Sequence, residues 1–242
     1  MQRESNKNIG LFIFSILITC SQTCICQSVN SAGNTKEPYV ITTIRKYYEA
    51  VSQDSSQTIV NLAGYITPLY TDWKYASINN FTGKILYKKP IAYVRLPIAE
   101  ALQKVQKELS GFGLSLIFYD AYRPYSVTKK MWKAVPDERY AANPVKGSGH
   151  NRGAAIDVSL VNTITGKPLP MPTTFDNFSD TAHHDYMQLP DEVIQNRQLL
   201  RKVMEKYGFV ALKTEWWHYS WPGAAQKFAL LDLSFRKLKR IQ

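Results

Sequence analysis

An α+β fold is what this sequence predicts, and three observations lead to it. Helical patterns come first along the chain, strand patterns are interleaved among them without βαβ regularity, and no linker divides the sequence. The length of 242 residues with 45% apolar and 20% charged side chains suits one globular domain with a proper core. No repeat at a period of about 20–50 residues and no sustained heptad is visible, which sets aside solenoid and coiled-coil classes.

The first 26 residues are read apart from the fold. Arg3 and Lys7 precede an apolar run from Ile9 to Ile18 that only Gly10 and Ser15 interrupt. A run that short does not reach the roughly 20 residues needed to cross a hydrocarbon core, so no membrane span is expected. A basic start, a short apolar stretch and a polar exit describe a secretory signal peptide over residues 1–26, with the remaining domain over 27–242. Cys20, after the apolar run, offers a lipid anchor as the alternative, but Thr19 is a poor residue to precede a lipidated Cys. Export to the periplasm or medium is therefore expected. Cys20, Cys24 and Cys26 are the only cysteines, so cleavage near Cys26 leaves neither a disulfide framework nor thiolate metal ligands. Any metal would be held by carboxylates and by His150, His183, His184 or His218.

The elements follow in order. Residues 27–38 are polar and read as a lead-in; Tyr39 to Gln53 reads as a helix; Asn61 to Lys89 is irregular and aromatic-rich with one strand-like piece. Pro97 opens a helix whose Ile98, Ala101, Leu102, Val105 and Leu109 share one face, and Gly111 ends it. Leu114 to Tyr119 is a short apolar strand, and Pro124 opens a helix through about Lys133. In a strand from Ala154 to Leu160, alternation puts Ile156, Val158 and Leu160 on one face and Asp157 on the other. Pro190 to Tyr207 is a helix with Val193, Leu200, Val203, Met204 and Tyr207 on one side, closed by Gly208, and Glu215 to Trp221 is a last aromatic strand. The formal charge of +11 becomes +10 once Arg3, Lys7 and Glu4 are removed with the leader. Apart from the tail Arg236-Lys237-Leu238-Lys239-Arg240 the basic residues are dispersed and carry no nucleic-acid motif, so anionic envelope polymers are a better match than nucleic acid. No oligomeric state follows from the sequence.

Two stretches carry chemistry. In Ser148-Gly149-His150-Asn151-Arg152-Gly153-Ala154-Ala155-Ile156-Asp157, a His in a Gly-flanked loop precedes a carboxylate inside an apolar strand, where a charge is costly without a partner. In Glu215-Trp216-Trp217-His218-Tyr219, aromatic residues surround a second His. His150, Asp157 and His218 would supply three ligands and leave a tetrahedral position open, the arrangement of catalytic zinc. Glu215 is then the candidate general base. Residues three apart in a strict strand face opposite ways, so Glu215 is expected at the ragged start of its strand or on a bulge.

Together these stretches resemble the zinc D-Ala-D-Ala peptidases, specifically the VanX-type D-Ala-D-Ala dipeptidases. The resemblance extends through Lys74-Tyr75-Ala76 with Asn80-Phe81-Thr82-Gly83, Asp120-Ala121-Tyr122-Arg123-Pro124 and Phe175-Asp176, five blocks in the family's order between Tyr75 and Tyr219. It implies a single-domain α+β fold with a central antiparallel sheet flanked by helices, like that of the D,D-peptidases and the hedgehog domain. It also implies one zinc ion per chain on His150, Asp157 and His218, with Glu215 as base. By the same resemblance Arg123 holds the developing oxyanion, Asp120 buttresses Arg123, and Tyr75, Ser148 and Asp176 hold the dipeptide, Asp176 taking its free ammonium. His183 and His184 are expected to steady the loop after Asp176 rather than bind metal, and Trp216 and Trp217 to form pocket wall and core. Where the family has Met-Gly ahead of its Phe-Asp, this chain has Met171-Pro172-Thr173-Thr174, a stiffer loop. The expected reaction is hydrolysis of D-Ala-D-Ala to D-alanine in cell-wall peptide turnover, since an exported enzyme meets released dipeptide outside the cytoplasm. The alternatives are a D,D-carboxypeptidase or endopeptidase acting on longer stem peptides, and a catalytically silent wall-binding module.

Overall fold

The computed structural model describes residues 38–241, which belong to one compact unit; the leader predicted over residues 1–26 lies outside them. In chain order the elements are β1 (Val40–Ile41), α1 (Ile44–Gln53), β2 (Ile59–Asn61), β3 (Tyr70–Thr71), β4 (Tyr93–Arg95), α2 (Leu96–Ser110), β5 (Leu114–Asp120), α3 (Tyr125–Ala134), β6 (Ala155–Asn162), α4 (Asp191–Lys206), β7 (Val210–Ala211), β8 (His218–Ser220), α5 (Ala224–Lys227), β9 (Leu230–Leu231) and α6 (Phe235–Lys239). The class is α+β, as predicted. No helix among the described residues is long and apolar enough to cross a membrane.

The central sheet has the order β3-β5-β6-β8-β7. It is antiparallel from β5 to β7, and β3 joins its edge in parallel with β5, a departure from the purely antiparallel sheet expected. Two small pairs stand outside it: β1 with β9, parallel, and β2 with β4, antiparallel. The stripe read on α2 is buried, with Ile98, Leu102, Val105 and Leu109 all at 0% exposure. At about 1.5–3 kcal/mol for each large aliphatic side chain withdrawn from water, that face is what fastens the helix to the sheet. It packs with Leu116 and Phe118 of β5, with Ile156, Val158 and Leu160 of β6, and with Leu200, Val203 and Met204 of α4. A second core, rich in tyrosine, gathers Tyr75, Tyr87, Tyr93, Tyr122 and Phe235 beside the end of the sheet that carries the site.

Boundaries differ from the sequence reading by one or two residues at several elements and by more at two places. The first helix starts at Ile44 instead of Tyr39, because Thr43 is extended and its hydroxyl accepts from the Lys46 N–H while Val40 and Ile41 pair with Leu230 and Leu231. The last strand of the central sheet runs only from His218 to Ser220, and Glu215 lies in the turn before it, at the ragged start that its spacing from His218 demands.

Candidate active site

Register across three strands builds the centre of the site. Asp120 of β5 is the partner of Asp157 of β6, and Asp157 is the partner of His218 of β8, so the three form one row across the sheet. A shift in register between Phe118 and Asp120 turns the end of β5 toward that row. His150 joins from a single 3-10 turn, His150–Arg152, just ahead of β6. That turn requires its glycines. Gly153 has φ of +66°, and a Cβ there would lie 2.6 Å from Ile59 Cδ1. At Gly149 a Cβ would come within 2.7 Å of the Ala155 Cβ.

The donors of His150, Asp157 and His218 converge, with one ligand atom from each lying within 4.8 Å of the others. His150 Nε2 is 3.4 Å from His218 Nδ1 and 3.4 Å from Asp157 Oδ2, and His218 Nδ1 is 2.9 Å from Asp157 Oδ1. Ligands about 2.0–2.1 Å from a tetrahedral zinc ion stand roughly 3.3 Å apart, so these separations fit the ion. The tautomer of His150 is settled by its surroundings: Nδ1 donates to the Ala121 carbonyl at 2.8 Å, which leaves the Nε2 lone pair facing the other two ligands. Two imidazoles and a carboxylate suit a borderline cation such as zinc. Among the described residues this is the one such group, and neither His183 nor His184 belongs to it. His184 is instead buried, its N–H donating to the Lys213 carbonyl and its ring 6.2 Å from that of Tyr219.

Arg123 is held from several sides. Its Nε and Nη2 donate to Asp120 Oδ2 at 2.8 and 2.6 Å, and Nη2 lies 3.9 Å from Asp157 Oδ2. Asp120 thus buttresses Arg123, and its other oxygen accepts from the Tyr87 hydroxyl at 2.6 Å. Burial opposes the Arg123 charge, but Asp120, Tyr75, Asp157 and Tyr87 together outweigh it and hold the guanidinium pKa above its ordinary value. The guanidinium also lies 4.9 Å above the Tyr75 ring. Asn151 binds the Arg123 carbonyl at 2.9 Å, tying the arginine segment to the His150 turn.

Glu215 Oε2 stands 4.0 Å from His218 Nδ1. Burial pushes its carboxyl up to about 7, against the pull of His218. Asp176 lines a cleft of about 280 Å³ together with the three ligands, Arg123, Glu215 and Tyr75. Its backbone takes φ of +59°, and its carboxylate accepts from the Tyr75 hydroxyl at 3.1 Å and from the Phe81 N–H at 3.2 Å. Burial raises it too to about 7. Ser148 lines the same cleft, and its hydroxyl accepts from the His150 N–H at 3.1 Å.

All eight residues singled out in the sequence therefore meet in one cleft. Sequence reasoning missed their supports: Tyr87 on Asp120, the Ala121 carbonyl on His150, and Ser220, whose Oγ is 3.0 Å from His218 Nε2. Only Ser220 left a signal, its spacing of two from His218 in a strand. Trp216 and Trp217 are both 1% exposed and belong to the core. Trp216 Nε1 donates to the Thr173 hydroxyl at 2.9 Å, so the loop that departs from the family pattern is anchored from beneath.

A family model for D-Ala-D-Ala dipeptidases of peptidase family M15 matches residues 55–237, and the chain belongs to that family of metallopeptidases. Among curated relatives, the D-alanyl-D-alanine dipeptidase of Escherichia coli K12 is 36% identical over 174 residues, which are 72% of this chain and 90% of that one. That of Enterococcus faecalis V583 is 34% identical over 168 residues, 61% of this chain and 83% of its own. Solved structures that match include VanYB in complex with D-alanine-D-alanine, with 14% identity and a TM-score of 0.37 over 72% of this chain and 90% of that one.

Proposed function

We propose that the protein is a zinc D-Ala-D-Ala dipeptidase that acts in cell-wall peptide turnover. The convergence of His150 Nε2, Asp157 Oδ1 and Oδ2 and His218 Nδ1, beside a separate carboxylate on Glu215, carries this reading. Zinc bound there would act as a Lewis acid, acidifying water and polarising a carbonyl. Membership in the dipeptidase family and the relatives' activity support the substrate.

The chain's own groups divide the work. Asp176 receives the free ammonium of the dipeptide, its carboxylate already oriented by Tyr75 and the Phe81 N–H. Ser148 lines the same cleft and binds the dipeptide there. Glu215 takes a proton from the water that attacks the scissile carbonyl carbon and delivers it to the departing amine as the C–N bond breaks. A carboxyl raised to about 7 is suited to both transfers near neutral pH. Arg123, fixed by Asp120, presents its remaining guanidinium hydrogens to the oxygen on which negative charge develops. The leader pattern over residues 1–26 supports placing this reaction outside the cytoplasm.

The test is an assay of purified, zinc-supplemented protein against D-Ala-D-Ala, L-Ala-L-Ala and a stem pentapeptide ending in D-Ala-D-Ala. Release of D-alanine from the free D,D-dipeptide alone is expected. Faster cleavage of the pentapeptide would replace the reading with a D,D-carboxypeptidase, and no cleavage of any substrate by zinc-loaded protein would leave a wall-binding module.

A further inference from the structure

We propose that Ser220 is a positioning residue for the metal ligand His218, a role that rests on the reading of His150, Asp157 and His218 as a zinc site. An imidazole can offer only one lone pair in its neutral form, so whichever nitrogen binds metal, the other must carry hydrogen. His218 turns Nδ1 toward Asp157 and His150, at 2.9 and 3.4 Å. Its Nε2 points the other way, to the Ser220 Oγ at 3.0 Å. His150 is oriented in the opposite sense, with Nδ1–H on the Ala121 carbonyl and Nε2 toward the site.

The two partners differ in kind. A carbonyl only accepts, so it locks His150 in one tautomer. A hydroxyl accepts or donates. With metal on Nδ1, Nε2–H donates to Ser220. Without metal, the 2.9 Å contact places the hydrogen on Nδ1, donated to Asp157, and the Ser220 O–H then donates to Nε2. Ser220 thus serves both states of the ring, which a carbonyl in its place would not. Its position is also fixed more firmly than a loop residue's: it lies on the same face of β8 as His218, and its backbone pairs with Ala155 on one side and Val210 on the other.

The experiment compares Ser220→Thr with Ser220→Val in the full folded domain. Both side chains are β-branched, suit a strand and are nearly equal in size, and they differ by the hydroxyl alone. Zinc affinity is measured by competition with a chromophoric chelator, alongside the melting temperature of the metal-stripped proteins and the ¹⁵N imidazole NMR signals of His218. Expected are an affinity for Ser220→Thr close to that of the unaltered protein, a loss of about 10–100-fold for Ser220→Val, and a shifted Nε2–H resonance in the Val form with unchanged melting of the stripped protein. Ser220→Ala against the unaltered protein gives the same comparison without added volume, should Val impair folding. Equal zinc affinity in the hydroxyl and non-hydroxyl forms would overturn the role of Ser220 while leaving the zinc site intact. An unaltered protein that takes up no zinc would instead overturn the zinc reading, and this inference with it.

Discussion

Glu215 and Asp176 line the same cleft as two half-buried carboxyls, both pushed up to about 7 by loss of solvent, and they are expected to answer differently to removal. Glu215→Gln should keep one zinc per chain by elemental analysis and lose about 10²–10⁴-fold in kcat, because it deletes proton transfer and no ligand. Near-native turnover in that variant would remove Glu215 from the chemistry. Asp176→Asn should raise KM for the dipeptide more than it lowers kcat. Its effect on stability has a definite sign. A carboxyl whose folded pKa of about 7 lies above its ordinary 3.8 holds its proton more tightly when folded. Its stabilisation is therefore full below about 3.8 and lost as pH rises through 7. The melting temperature of the Asn variant, which cannot ionise, should gain on the parent's as pH rises from about 4 to 8, with no further gain above 8, as calorimetry can check. The ligands and the base were legible in the sequence because a His in a Gly-flanked loop, a carboxylate inside an apolar strand and a Glu-x-x-His among aromatics make one set of metal donors, whereas the role of Arg123 came from the family resemblance of its Asp-x-Tyr-Arg-Pro motif. Tyr87 and the Ala121 carbonyl were not, because a tyrosine 33 positions from Asp120 and a backbone oxygen leave no local pattern.

At the scale of elements, the 3-10 turn His150–Arg152 is the piece on which the site is most exposed to backbone change. Gly153→Ala forces a side chain into φ of +66° and against Ile59 Cδ1. A cost of roughly 1–3 kcal/mol is expected from strain and overpacking together, read as a lower melting temperature with weakened zinc uptake. Arg95 bears on the same turn: its N–H donates to the Gly153 carbonyl at 2.8 Å and its Nε to the Arg152 carbonyl at 2.7 Å, so the shift would propagate into β4. The long elements α2, β5, β6 and α4 were visible from periodicity, with Pro at the starts of the two helices and Gly after them. Of the two- and three-residue strands only His218–Ser220 was, within the longer aromatic strand read there; Val40–Ile41, Tyr70–Thr71 and Leu230–Leu231 are too short to show alternation and exist only through partners distant in sequence.

The molecule as a whole should feel both metal and acid. A ligand that binds only the folded state stabilises it by RT ln(1 + [L]/Kd), about 4 kcal/mol at a thousandfold excess over Kd. Chelation should therefore lower the melting temperature by several degrees, and zinc should restore it. Acid acts through His184, whose pKa burial lowers to about 4 from 6.5, aided by Arg201 and Arg197. A histidine held neutral in the fold contributes stability that is complete above 6.5 and lost as pH falls toward 4. His184→Phe should accordingly flatten the decline in melting temperature between pH 6.5 and 5.

The row Asp120–Asp157–His218 has a kinetic corollary. Its members belong to three adjacent strands in the middle of the sheet, each of them flanked by buried apolar neighbours on both sides along the chain. Such a centre cannot fray loose the way a terminal loop does; amide hydrogens beside it should exchange with solvent only when the whole domain opens. An ion seated there would have to come and go by the mouth of the cleft, and its residence time would be governed by that doorway rather than by local melting of the scaffold.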